Sequence, residues 1–349
     1  MILQTVFDNF NLPDVQSCQP LVSGLINNSY KVNLNNGDSY FLQRINTAVF
    51  KDPLALQHNY LLVQHHLFSE GGIELPKLIN TISGDLFYDK DGEIWRCFEF
   101  LNNTYSLEVV GTPEKAYEVA NCFGSFTAVL QSFDKQQLKI ILPNFHNLHL
   151  RYQQFEQAMQ TAPEERKAGV KDLIERLEKY TSLVKWFIAA SNDEKAFPLH
   201  IMHHDCKIAN ILFDKDTDAI RCPIDLDTTQ PGLFFSDIGD MIRTIVPNLH
   251  EDNTKLNELT IRPDFLNAIT EGYMDAMGRF LTPAERDNLH YAGSVLIYMQ
   301  ALRFLTDHLN GDIYYKISYP GQNKDRTANQ LLLLELLHEF IAGKKRSFA

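Results

Sequence analysis

His203-His204-Asp205-Cys206-Lys207-Ile208-Ala209-Asn210 reads H-x-D-x-x-x-x-N, and Ile224-Asp225-Leu226-Asp227 follows it, with Asp225 fifteen residues after Asn210. Phosphoryl transfer asks for a carboxylate beside the attacking hydroxyl and for oxygen ligands that hold magnesium on the nucleotide phosphates. A loop bearing Asp205 and Asn210, then a strand ending in Asp225, supplies those groups from two adjacent turns. Positioning and charge neutralisation do most of the remaining work. Any one of these residues alone is an ordinary turn or strand-end residue. In this order, after a β-rich segment, together they point to an ATP-dependent phosphotransferase.

Upstream of the motif, Tyr30 to Leu34 and Ser39 to Ile45 alternate around Asn35-Asn36-Gly37-Asp38, a hairpin signal. A helix follows, with Asp52 as N-cap, Pro53 at its first position and Gly71-Gly72 as its stop. Leu54, Leu61 and Phe68 recur at two-turn spacing and are expected to form its buried face. Asp85 to Tyr88 and Glu93 to Phe100 flank Lys90-Asp91-Gly92, a second hairpin. The expectation for residues 1–100 is a nucleotide-binding lobe, a five-stranded antiparallel sheet plus one helix. Gly24 to Ser29, just before a strand, offers Asn27, Asn28 and Ser29 to phosphate oxygens, although a plain turn is the default for such a segment.

Residues 101–349 read as a mainly helical lobe carrying the catalytic loop and the acceptor site. Pro113 opens a helix with Ala116, Val119, Phe123, Phe126, Leu130 and Phe133 in helical period. Glu164 to Ala190 reads as another helix. Thr282-Pro283-Ala284-Glu285 is a capping box expected to start a long helix that stops near Asn310-Gly311. The β-like island Leu199 to Asp227 holds the motif. The fold class is therefore α+β, a small β-rich N-terminal lobe and a larger helical C-terminal lobe.

Composition excludes other classes. With 32 basic against 44 acidic side chains the net charge is −12, too few cations for a nucleic-acid binder. Cys18, Cys97, Cys122, Cys206 and Cys222 are odd in number and scattered, which fits reduced thiols. The N-terminus lacks a basic n-region, and no apolar run approaches the ~18 residues of a membrane span. A cytoplasmic protein with no membrane and no obligate protein partner is expected. His146, His149 and Arg151 lack a third ligand and read as packing or capping residues rather than a metal site.

At the motif, the chain resembles the aminoglycoside phosphotransferase and choline kinase superfamily, relatives of the protein kinases. Gly24-Leu25-Ile26-Asn27-Asn28-Ser29-Tyr30, Tyr40 to Thr47, Asp225 to Gly232, Phe235 to Asp240, and Arg303-Phe304-Leu305 leading to Gly311-Asp312-Ile313-Tyr314 are similar to the N-acetylhexosamine 1-kinases. That resemblance implies a bilobal protein-kinase-like fold, ATP and Mg2+ as cofactors, and phosphorylation of the anomeric hydroxyl of N-acetylglucosamine or N-acetylgalactosamine. It implies Asp205 as catalytic base, Asn210 and Asp225 as metal ligands, and Arg303 and Tyr314 at the sugar. Asp227 is read either as a ligand of a second metal or as a brace for its loop. His203 reads as a packing residue, and Asp237 as a tie between its helix and the catalytic loop. The alternative acceptor is another small alcohol: choline, homoserine, an aminoglycoside or a different sugar.

Four positions depart from the pattern. Gln43, by strand alternation, stands where the superfamily carries a phosphate-binding lysine. The lysine's usual glutamate partner on the following helix is also absent, with Asn59 and Tyr60 in that neighbourhood; a neutral pairing of Gln43 with Asn59 could replace the ion pair, leaving Arg44, Arg303 or a second magnesium as sources of positive charge. Leu25 stands where a histidine is expected, and Thr244 where an aromatic is.

Overall fold

Gly37, at a φ of 95° that favours glycine, closes the first hairpin. It joins β2 (Asn28–Leu34) to β3 (Ser39–Ile45), preceded by β1 (Val15–Leu21). Two short strands, β4 (Leu78–Ile79) and β5 (Tyr88–Lys90), and β6 (Glu93–Glu99) complete an antiparallel sheet of order β1-β2-β3-β6-β4, with β5 paired to β6. The sheet has six strands, not the five expected. The computed structural model describes residues 2–21 and 26–347. Gly24 and Leu25 of the anticipated phosphate loop, and the side chains of Lys344 to Arg346, lie outside the described residues.

The chain divides into two compact units. Unit 1 gathers Met1–Glu108, Val129–Pro143 and Ile208–Gln230; unit 2 gathers Val109–Ala128, Asn144–Lys207 and Pro231–Ala349. In unit 1 a helix that the sequence did not announce, α1 (Ile2–Asn9), leads into a core of Val6, Phe7, Phe10 and Leu12 against Val32, Leu34, Leu42, Trp95 and Cys97. Truncating a buried phenylalanine such as Phe10 in a core of this kind costs about 3–5 kcal/mol.

The second helix, α2 (Pro53–Gly71), has the expected ends: Asp52 accepts the N–H of Ala55, and Gly72 adopts the left-handed conformation. Its buried face is not the expected one. Leu54 and Phe68 are exposed, while Leu56, Gln57, Asn59, Tyr60, Val63 and Leu67 are buried. The apolar trace misled because two inward positions, Gln57 and Asn59, are polar and find internal hydrogen-bond partners.

Unit 1 also contains three short antiparallel strands, Thr104–Tyr105, Ile211–Asp214 and Ile220–Pro223. Asn210 immediately precedes the second of these, and Ile224-Asp225 follow the third. The N–H of Ile224 donates to the carbonyl of Asn210 at 2.8 Å, so the two candidate metal ligands are drawn together by the ladder between them.

Unit 2 is built around the helix Leu289–Leu309, buried along most of its length, with Phe235–Ile245, Leu148–Thr161 and Gln322–Ser347 packed on it. Two glycines permit the closest crossing. A Cβ on Gly239 would sit 2.5 Å from the Ala292 carbonyl, and one on Gly293 2.5 Å from Ile242. The capping box at Thr282 is present, but it starts a short helix, Pro283–Asp287, and the chain breaks at Asn288 before the long one begins. The expected helix from Glu164 to Ala190 is likewise three: Glu164–Ala168, Lys171–Glu178 and Ser182–Ser191, parted at Gly169 and at Tyr180-Thr181. Charge and composition ran on through both breaks, which is why they were illegible.

Candidate active site

The candidate catalytic loop leaves the buried strand His200–Met202 and is held by its backbone. Asp237 accepts the N–H of His203 at 3.0 Å and of His204 at 2.8 Å, and Asp240 accepts the N–H of Cys206 at 2.9 Å. Both carboxylates are buried on the helix Phe235–Ile245, so its first turns dictate the loop path. His203 packs its ring between the edges of Phe123 and Phe126, at 5.1 and 5.5 Å. His204 takes a positive φ of 67°, and Gly232 lies so close that a Cβ there would meet the imidazole at 2.4 Å. That conformation is costly for a residue with a side chain and survives where neighbours over-determine it.

Held this way, Asp205 keeps its side chain partly exposed, with the Lys207 ammonium 3.0 Å from Oδ2. Asp240 is itself anchored by Arg243 at 2.9 Å, and Arg243 also grips Glu251 at 2.7 Å. Burial, and secondarily the nearby Asp205 charge, push the Asp240 carboxyl above its ordinary value, against the pull of Arg243. Burial opposes the Arg243 charge, but Asp240 and Glu251 outweigh it and raise its pKa. Asp240 and Arg243 were not singled out as supports by sequence reasoning; their spacing from Asp237 on one helix was the available signal.

Also in unit 2, the carboxylate of Asp307 accepts three successive N–H groups, from Ile313, Tyr314 and Tyr315, at 3.0, 2.8 and 2.9 Å. Asn323 donates to the same carboxylate at 2.9 Å. This pins the loop beside Arg303, whose guanidinium is 3.5 Å from the Tyr314 hydroxyl, 5.7 Å from the Tyr314 ring centre and 5.4 Å from that of Tyr315. Tyr314 itself remains exposed. The structure thus brings the two anticipated sugar residues together. Among the described residues neither Arg303 nor Arg151 has a carboxylate partner: Arg303 donates to Gln300, and Arg151 to Gln154 and to the carbonyls of Asn144 and Phe145. Burial, then the Arg303 charge, lower the pKa of Arg151. His146 lies with its Nδ1 3.4 Å from that of His204, stacked on Phe145.

In unit 1 the anticipated Gln43–Asn59 pair does not form. Asn59 instead binds both backbone groups of Lys139, at 2.7 and 2.9 Å. Gln43 faces Arg96, its direct partner in the β3–β6 ladder. Arg96, only 3% exposed, donates from Nε to Gln43 at 2.8 Å, from Nη1 to Gln57 at 3.1 Å, and from Nη2 to Asp227 at 2.6 Å. Gln43 passes the chain on by donating to the Ser29 hydroxyl at 2.9 Å. Asn27 donates to the same Asp227 oxygen at 3.0 Å and accepts the N–H of Asn46 at 2.9 Å. Asn27, Ser29, Gln43 and Asp227 therefore meet around one buried guanidinium, while Asn28 is exposed. Arg44, one source considered for the missing positive charge, is paired with Glu93 near the surface. The interior cation is Arg96, which sequence reasoning passed over. An arginine between Trp95 and Cys97 in a buried strand was the signal.

Asp225 is exposed and left-handed, with φ 63° and ψ 55°, at the mouth of the short helix Leu226–Thr228 that carries Asp227. Asn210 is buried. Among the described residues no group of three or more His, Cys, Asp or Glu could hold a metal. One carboxylate and one amide, both hard oxygen donors, fit a magnesium-type ion that completes its shell with phosphate and water.

The match to a phosphotransferase family and to kinases of this fold makes the chain an ATP-dependent phosphotransferase acting on hydroxyl groups of small molecules. The chain belongs to the APH phosphotransferase enzyme family, whose model matches residues 17–273. It is similar to an aminoglycoside phosphotransferase from Alicyclobacillus acidocaldarius, at 15% identity over 99% of this chain and 95% of that one, TM-score 0.66. Spectinomycin phosphotransferase, solved with ADP and spectinomycin, matches at 14% identity over 97% of each chain, TM-score 0.63. Choline kinase from Streptococcus pneumoniae matches at 12% over 96% of this chain and 97% of that one, TM-score 0.53. At such identities the likeness speaks for the kinase-like fold. No helix among the described residues is long and apolar enough to cross a membrane.

Proposed function

We propose that this chain transfers the terminal phosphoryl group of ATP to the anomeric hydroxyl of an N-acetylhexosamine, with Mg2+ as the cation. The observation that carries the acceptor side is the loop pinned by Asp307, which sets Tyr314 against Arg303. A guanidinium fork and a phenolic ring face match the hydroxyl and acetamido oxygens and the apolar face of a sugar. Two arginines without carboxylate partners make the same region a poor host for a cationic acceptor such as choline or an aminoglycoside.

Asp205 takes the hydroxyl proton as the acceptor oxygen bonds to phosphorus and the bond to ADP breaks. An anomeric hydroxyl is the most acidic on the sugar, so a carboxylate within hydrogen-bond reach suffices. Lys207, beside Asp205, offers positive charge to the transferring group. Asn210 and Asp225 hold the cation, which when bound neutralises charge on the phosphates. Asp227 is read as the brace of that turn, since Arg96 and Asn27 occupy its Oδ2.

An ATP-consumption screen over N-acetylglucosamine, N-acetylgalactosamine, their parent hexoses, choline, homoserine and an aminoglycoside tests this reading. Magnesium-dependent ADP release with an N-acetylhexosamine, and an acid-labile phosphate on C1, is the expected result. Turnover with an amino alcohol alone, or phosphate on C6, would replace it with the other acceptor class.

A further inference from the structure

Kinase-like sites that join the sheet to its helix through a lysine on the β3 strand have no counterpart here, since Gln43 occupies that position. The buried cation beside it is Arg96, its ladder partner on β6. Four of its five N–H bonds are already committed: two to Gln43, one to Gln57 and one to Asp227. A guanidinium so occupied, and buried, is not free to seize a phosphate. Its contacts instead tie three elements to each other: β3 through Gln43, α2 through Gln57, and the Asp-x-Asp turn through Asp227.

The turn is where this matters. Asp225 and Asp227 are two residues apart in one tight, left-handed-to-3-10 turn. Fixing the Asp227 carboxylate inward fixes the backbone from which Asp225 faces outward. Asn27 donates to the same Asp227 oxygen and stands at the entry to β2, so the segment anticipated to meet phosphate shares this anchor.

We propose that Arg96 is a positioning residue for the metal–nucleotide site: through Asp227 it sets the geometry of Asp225, and through Gln43 and Asp227 it fixes the start of β2. It takes over the structural half of the absent lysine's task without touching the nucleotide. The inference rests on the kinase reading above and goes beyond it in assigning a role to a residue outside the motifs.

The test is calorimetric binding of AMP-PNP to the full chain, with Mg2+ and in EDTA, for the wild type, Arg96→Met, Asp227→Asn and the double variant. Arg262→Met, which removes a partly buried guanidinium that donates to carbonyls of unit 2, is the control. Losing a group that orients a metal ligand weakens metal affinity about 10- to 100-fold. Arg96→Met and Asp227→Asn should each weaken Mg·AMP-PNP binding by about that factor, and the double variant no further, because they act as one pair. Binding in EDTA should change much less, and Arg262→Met should leave the magnesium dependence unchanged. If Arg96→Met does not fold, Arg96→Lys, which keeps the charge but cannot bridge three acceptors, should still show the magnesium-specific loss.

Magnesium dependence equal to the wild type in a folded Arg96 variant, or additive losses in the double variant, would overturn the assignment while leaving the kinase reading standing. A wild type that binds no magnesium nucleotide at all would sink that reading, and the positioning role with it.

Discussion

Asp240 takes the backbone N–H of Cys206 on Oδ2 at 2.9 Å while Arg243 holds its Oδ1 at 2.9 Å. The proposed catalytic loop is thus fixed by a carboxylate that is itself fixed. Removing it leaves the buried Cys206 N–H without its acceptor and Arg243 with Glu251 alone, and breaking a buried pair costs about 3–5 kcal/mol. Asp240→Ala should lower the unfolding free energy, read from urea titration, by that amount and reduce kcat in the folded fraction. Asp240→Asn, which retains an acceptor, should cost less on both measures. Equal stability for the alanine variant would show that the loop has other support.

Asp205→Asn should reduce phosphoryl transfer by about 10²–10⁴-fold, the usual contribution of a positioned base. Nucleotide affinity, read by calorimetry, should hardly move, since Asp205 is assigned to the acceptor hydroxyl and not to the metal. An unchanged turnover number would remove Asp205 from the chemistry.

Arg303→Ala should raise the KM for the acceptor by about 10- to 160-fold, the range of about 1.5–3 kcal/mol for a charge-assisted hydrogen bond, and leave the KM for ATP alone. Asp307→Ala should imitate it more severely, because three N–H groups of the Ile313–Tyr315 loop lose one acceptor together. Initial-rate kinetics with each substrate varied separate the two effects. A change confined to ATP would place Arg303 elsewhere.

His146 sits among His204, Arg303, Arg243 and Arg151, and burial first, then those charges, hold its pKa well below the ordinary 6.5. The unfolded chain takes up a proton there as pH falls through about 6.5, and the folded chain does not. The stability that neutral His146 contributes is therefore present above that value and drains away on acidification toward its folded pKa. Denaturant unfolding at pH 7.5 and pH 5.5 should show a smaller loss for His146→Asn than for the wild type. An identical loss would mean that other groups carry the pH dependence.

Much of this architecture was readable before any coordinates. The Asn35–Asp38 hairpin, both ends of α2 and the Thr282 box each rest on a local rule that a few residues state completely, and they lie where the rules put them. What escaped was set by partners far along the chain. Gln57 and Asn59 are buried only because distant groups satisfy them, Leu86 and Arg96 for the first and Lys139 for the second. A periodicity count scores such residues as surface. The same holds at the site: Asp205, Asn210 and Asp225 belong to a spaced motif, whereas Arg96 acquires its place only when β6 lies beside β3. The Gln43–Asn59 pairing failed for that reason, as register put a stronger donor across from Gln43.

The left-handed backbone at Asp225 gives an experimenter an unusual separation of variables. Asparagine and aspartate enter that conformation at low cost, while longer side chains do not. Asp225→Asn therefore deletes a charge from an undisturbed turn, and Asp225→Glu retains the charge on a turn forced to bend. Comparing the two asks of a single position whether its electrostatics or its contour matters more.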